Sequence, residues 1–410
     1  GAAVTTGIQN TLIGGLAGDA LTDADQNVAV GYAALTSDTL GSKSIAIGRE
    51  ALVTQNFTSA TDVYNVAVGH NAGQLITTGV QNTLVGGLAG DALTDADFNV
   101  AVGTYALTSD TLGSKSTAIG VDALATQNFT SATDAYNTAV GYKAGDSVTT
   151  GVQNTLIGSS SGDALTDADY NTALGFGSLG FDQLGSKTTA IGYRALGTQR
   201  FTSATDSLNT AVGYDAGLEV TTGIQNTLVG GKAGDALTVG STNVALGVSA
   251  LGADTKGNSS VAIGSSALRL QNFTSATDAY NVAIGRAAGE YVTTGVQNTL
   301  VGALSGDALT DADANTALGY EALSADTRGS HSTAIGRRAL KAQNYTSATD
   351  SHNTAVGNNA GLAVTTGIEN TLIGSAAGDA LTTSNANVAL GKLALSAETT
   401  SNGNTAIGAE

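Results

Sequence analysis

Two segments of this chain carry residues whose types and spacing could do chemistry. The first is an acidic turn, Gly18-Asp19-Ala20-Leu21-Thr22-Asp23-Ala24-Asp25. Carboxylates clustered on a loop are what Ca²⁺ takes, since it collects about six to eight oxygen ligands. Asp19, Asp23 and Asp25 are therefore candidate metal ligands. The turn returns with Asp91, Asp95 and Asp97, with Asp163, Asp167 and Asp169, and with Asp307, Asp311 and Asp313. The fourth copy keeps Asp235 but has Val239 and Ser241, and the sixth has Thr383 and Asn385. A cation site on which the chain depended would not lapse in this way, so a solvated turn is the competing reading. The second segment is a loop, Thr54-Gln55-Asn56-Phe57-Thr58-Ser59-Ala60-Thr61-Asp62. Its aromatic recurs as Phe129, Phe201, Phe273 and Tyr345, preceded by Asn128, Asn272 and Asn344 in all but the third copy. Exposed, Asn56, Phe57 and their equivalents form a repeated contact for a receptor or glycan. Folded back, the same aromatic packs on its own coil or on a neighbouring chain.

Little else is reactive. Gly41-Ser42-Lys43-Ser44 ends like a phosphate-binding loop but lacks the upstream Gly and the strand–loop–helix setting. His70, His331 and His352 stand alone, and His331 replaces the Lys of other copies. With no Cys there is no disulfide framework, thiolate metal site or Cys nucleophile. No cofactor is implied, and no catalytic constellation can be assembled. The net charge of −18 without a basic cluster argues against nucleic acid and anionic membranes as partners. No run approaches the length of a transmembrane helix.

These segments sit in a regular frame. Asn/Ser/Thr, Thr/Val/Ile, Ala/Leu, Val/Ile/Leu and Gly recur 23 times, from Gly14 to Gly408, at spacings of 17, 17, 21 and 17. Four units make a super-repeat of 72 residues. Three residues after each frame Gly comes Ala or Ser, then Gly or Leu in fixed order. The third frame position is Leu only in the first unit of each set, as at Leu12, Leu84 and Leu156.

The alternation in Asn27-Val28-Ala29-Val30-Gly31 is the two-residue period of a strand. The frame Gly permits a bend, and the segment to Ala34-Leu35 is expected as a second strand. The spacing predicts an all-β parallel β-solenoid of 23 coils, one rod over residues 1–410, roughly 110 Å long at about 4.8 Å per coil. Proline, absent from the chain, would delete a ladder hydrogen bond in every such strand. Val28 and Val30 are assigned to the core. Ala29 and its equivalents are assigned to a second apolar face, pressed against another chain in a closed oligomer.

Asn65-Val66-Ala67-Val68-Gly69 and Ser116-Thr117-Ala118-Ile119-Gly120, each followed by x-x-Ala, resemble the head repeats of trimeric autotransporter adhesins. Asn137-Thr138-Ala139-Val140-Gly141-Tyr142-Lys143-Ala144-Gly145 is similar to repeats of bacteriophage tail fibres. The resemblance covers the whole chain and implies a left-handed roll and a homotrimer. The chain departs from the adhesins, whose coils are mostly shorter and which carry a basic neck and a coiled-coil stalk. The expectation is a non-enzymatic extracellular fibre shaft on a virion. The alternative is an adhesin head on a bacterial surface, binding receptors through lateral loops. Because both ends cut through a unit, the chain is expected to be a segment of a longer fibre without its caps.

Overall fold

β-branched residues on either side of Ala or Leu favour the pleated state, and the three central residues of each frame form a short strand. The computed structural model describes residues 1–409. It divides into two compact units, Gly1–Leu208 and Asn209–Glu410. In the first, eleven frame strands run from Thr11–Ile13 to Thr189–Ile191; in the second, twelve run from Thr210–Val212 to Thr405–Ile407. Neighbours pair parallel, like position on like position, as in Thr11↔Val28, Leu12↔Ala29 and Ile13↔Val30, or Val261↔Val282, Ala262↔Ala283 and Ile263↔Ile284. The protein is all-β, a parallel β-solenoid of about 23 turns. Among the described residues no helix is long and apolar enough to cross a membrane.

The expected faces are reversed. Ala29, Ala46, Leu84 and their equivalents as far as Ala389 are fully buried. The flanking Val and Ile are the outward side chains, with Ile47 and Ile119 each 38% exposed and Leu174 44%. The coil is too narrow for a branched residue at every inward position. Ala lets the opposite wall close over the strand, and Leu enters once in four coils.

The second strand is also corrected. Ala33 and Leu35 have φ of 56° and 51°, so the segment is a chain of turns. These turns still stack: Leu35 N–H donates to Ala51 O at 3.0 Å and Gly18 N–H to Ala34 O at 2.9 Å. The Gly-or-Leu order follows from volume. Gly18 shares the left-handed conformation of Leu35, but a Cβ there would lie 2.7 Å from Leu12 Cδ2 and 2.8 Å from Leu21 Cδ1. A turn Gly stands on the coil that carries a frame Leu, as Gly18 with Leu12, and on the coil before it, as Gly73, where a Cβ would lie 2.8 Å from Leu84 Cδ1; on the remaining coils a turn Leu fills the space. The frame Gly is required for a different reason. Gly31 has φ of 137°, and a Cβ on it would sit 2.5 Å from Gly48 O.

The first frame position forms a buried polar ladder. Asn27 Nδ2 donates to Gly41 O at 2.9 Å, and its Oδ1 accepts from Ser44 N–H at 2.8 Å. Asn82, Asn99, Asn154 and Asn171 repeat both contacts. Buried amides satisfied in this way fix the coil register.

Candidate functional site

The 21-residue coil needs an anchor, because its extra residues would otherwise be an untethered loop. The anchor is a buried carboxylate box. Asp38 Oδ1 accepts from the N–H groups of Gly41 and Phe57, each at 3.0 Å. Its Oδ2 accepts from Gln55 Nε2 at 2.5 Å. Gln55 Nε2 also donates to Ser44 Oγ at 3.1 Å, and Gln55 Oε1 accepts from Asn65 Nδ2 at 2.9 Å. The same set recurs as Asp110, Gln127, Ser116 and Asn137, and as Asp254, Gln271, Ser260 and Asn281. It recurs again as Asp326, Gln343, Ser332 and Asn353, while Thr188 takes the hydroxyl role beside Asp182 and Gln199. Burial pushes the Asp110 and Asp182 carboxyls above the usual range, against the pull of their donors. Sequence reasoning misses the box. Its signal is that Gln55 and its equivalents occur in the units whose first frame residue is Ser or Thr. The hydroxyl leaves room for the incoming amide.

The aromatic rings that follow point inward. Phe57, Phe129, Phe201, Phe273 and Tyr345 are all buried, 5 to 7% exposed. Their side chains are therefore not available as a lateral contact, which corrects that reading of them. Tyr345 OH donates to Gly367 O at 2.6 Å. What the loop presents outward is polar: Asn56, Asn128, Asn272 and Asn344 are exposed. Thr39 Oγ1 donates to Asn56 Oδ1 at 3.2 Å, and Thr111, Thr255 and Thr327 repeat this contact. Beside it lies a cation clamp. Lys43 Nζ meets Asp62 Oδ2 at 2.6 Å and Tyr64 OH at 3.1 Å, and Lys115, Asp134 and Tyr136 repeat it. His331 Nδ1 stands 3.0 Å from Asp350 Oδ1 in the Lys position. Such exposed pairs contribute little to stability.

The acidic turn does not assemble into a cation cage. Asp19 Oδ1 accepts from Ala2 N–H at 3.1 Å, Asp23 Oδ1 from the Thr6 hydroxyl, and Asp25 Oδ1 from Ile8 N–H at 2.8 Å. Each carboxylate thus serves a different donor on the adjacent coil. Among the described residues no three His, Cys, Asp or Glu side chains gather as a metal group. The lapses at the third acid now have a cause. Val80, Val152 and Val296 N–H donate to Asp97, Asp169 and Asp313 at 2.7 to 2.8 Å. Ile224 N–H donates to Ser241 Oγ at 3.1 Å and Ile368 N–H to Asn385 Oδ1 at 2.8 Å. The position needs an acceptor, and a neutral one suffices.

Neither a family model nor a curated protein matches the chain.

Proposed function

We propose that the chain is a structural, non-enzymatic extracellular fibre shaft. Its coils of 17, 17, 21 and 17 residues wind as a left-handed roll, and three copies associate along their outward frame faces. One observation carries this reading. The second and fourth frame positions place Val, Ile, Leu and Thr side by side on the outside of each unit, and many are open to solvent. Ile47, Ile119 and Leu174 belong to the first unit; Leu246, Ile284, Leu318, Ile373 and Leu390 belong to the second. A lone soluble chain rarely leaves so long an apolar stripe uncovered. Like positions in register suit a closed cyclic assembly, in which each copy offers the same stripe. The inward faces of both units are filled by their own Ala and Leu, so of the two frame faces only the outward stripe is open to association.

Uniform repetition supports the structural role, since an active site needs a unique place. The virion setting follows the tail-fibre resemblance. The adhesin-head alternative loses its best contact residues, because the loop aromatics are internal. Sedimentation equilibrium tests the assembly. The parent protein is expected at three times the chain mass, and Ile47→Glu, Ile119→Glu and Leu174→Glu together are expected to shift it to the single-chain mass. A single-chain mass for the parent protein would overturn the trimer.

A further inference from the structure

One stretch of the first unit breaks the repeat in a concerted way. Ser160 stands where Leu16, Leu88 and Leu304 stand in other sets. Gly180 replaces Thr36 and Thr108, and Gly197 replaces Val53, Ala125 and Lys341. Gly177 replaces Ala33, Tyr105 and Glu321. Four side chains are thus removed or cut back on adjoining coils, and a hollow of about 210 Å³ opens there. In the same stretch Phe181 replaces Ser37 and Ser109, and Arg194 replaces Glu50 and Asp122. Phe176 and Phe181 line the hollow yet are 54% and 65% exposed. Phe176 stacks on Tyr193 with centroids 5.6 Å apart and planes 14° from parallel.

The polar part of the hollow is as specific. In the second set Thr108 Oγ1 donates to Asp91 Oδ1 at 2.5 Å. Gly180 removes that hydroxyl from Asp163, whose Oδ1 lies 3.4 Å from where a Gly180 Cβ would be. Burial then holds the Asp163 carboxyl above its usual range. Asp163 and Arg194 both face the hollow.

We propose that this hollow binds one pyranose ring of a neutral glycan. A cavity of about 150 Å³ holds a benzene, so this one admits a single six-membered ring with its substituents. The electron-rich faces of Phe176 and Phe181 suit the C–H face of a sugar. Asp163 and Arg194 supply an acceptor and donors for its hydroxyls. A purely apolar ligand would cover the Asp163 carboxylate without a partner, which is costly. The fourth set is an internal control. Gly252 opens a similar hollow beside Asp235 and Arg269, but Val248 and Ala253 replace the two Phe. Charge without rings is present there.

This inference goes beyond the shaft reading. It uses turn residues and not the strand positions on which association rests, so either can fail alone. The test is saturation-transfer NMR on the full chain with four probes, the methyl pyranosides of glucose, galactose, mannose and N-acetylglucosamine, with p-cresol as an apolar control. Transfer to the ring protons of at least one glycoside is expected. Phe181→Ala and Gly180→Thr are each expected to reduce it at least five-fold while leaving the circular dichroism melt unchanged. Phe181 is largely exposed and Thr is the residue of other sets, so neither change threatens folding. No transfer to any glycoside, transfer to p-cresol alone, or equal transfer in both variants would overturn the proposal.

Discussion

Two carboxylate positions in the same stretch of coil obey different rules. At 25, 97, 169 and 313 the residue is Asp, but Ser241 and Asn385 stand in equivalent places. At 38, 110, 182, 254 and 326, the five copies that carry the box, it is Asp, and the equivalent place in the sixth set holds another carboxylate, Glu398. The first position accepts one backbone N–H near solvent, so any acceptor serves. The second accepts two backbone N–H groups and an amide N–H, all out of solvent. Only a carboxylate offers acceptors on both oxygens. Invariance in this repeat therefore follows the number of buried donors to be satisfied and not the presence of charge.

The largest test of that contrast is Asp110→Ala. It strands the N–H groups of Gly113 and Phe129 and the Gln127 amide. An unsatisfied buried donor costs about 1–3 kcal/mol, and after partial relaxation the expected loss is about 3–5 kcal/mol. Urea unfolding measures it, and hydrogen exchange at the Phe129 amide should accelerate with it. A loss under about 1 kcal/mol would show that the box is not an anchor.

Asp110→Asn is subtler and should cost about 2 kcal/mol. The new Nδ2 faces Gln127 Nε2, donor against donor. Turning the Gln127 amide relieves that clash but presents a donor to Asn137 Nδ2, which now bonds Gln127 Oε1 at 2.8 Å. Adding Gln127→Glu restores acceptors toward both neighbours and keeps the charge. The double variant should recover more than half of the loss. Failure to recover would mean that the donor count is not what fixes Asp110.

The strand period, the coil count and the exclusion of proline are legible because they depend only on spacing. The inward face is not. Val28 and Val30 are more hydrophobic than Ala29, and hydrophobicity alone assigns them to the core. What decides the matter is the space inside a narrow coil, and its trace is that a turn Gly, such as Gly18 or Gly73, stands on the same coil as a frame Leu or on the coil before it, while Leu35 stands where neither holds. Leu35 reads as a strand residue because a left-handed Leu is uncommon and has no sequence mark of its own. The box is hidden because Asp38 and Asn65 lie on the coils either side of the one that carries Ser44 and Gln55. The Phe57 ring can be placed only once the coil beneath it is known.

A third carboxylate position sharpens the contrast through pH. Asp307 Oδ1 is buried without a partner, and burial pushes its carboxyl up to about 6. Between its ordinary value of 3.8 and about 6 the folded chain holds a proton that the unfolded chain has lost. Stability from this group is therefore full below 3.8 and falls as pH rises through about 6. Asp307→Asn should remove that fall, giving a melting temperature above the parent's at pH 7 and near it at pH 4. Nearby Glu321 has the opposite sign. Its bond to Lys341 at 2.6 Å leads the contacts that hold its carboxyl at about 2, so its contribution is present above 4.5 and is lost as pH falls toward 2. Equal pH profiles for Asp307→Asn and the parent would mean that the missing partner has no energetic consequence.

The smallest effect should come from Asp97→Asn. Asn385 already fills the equivalent place, with Ile368 N–H at 2.8 Å, so the substituted amide can accept from Val80 N–H in the same way. Burial pushes the Asp97 carboxyl up, and neutralising it removes a desolvation cost. The expected change is within about 0.5 kcal/mol of zero, whereas Asp97→Ala, which deletes the acceptor, should cost about 1 kcal/mol. Calcium chloride and a chelator should both leave the parent melting temperature unmoved. If calcium raised it in the parent but not in Asp97→Asn, the position would depend on charge after all. The two carboxylate positions would then differ in ligand and not in donor count.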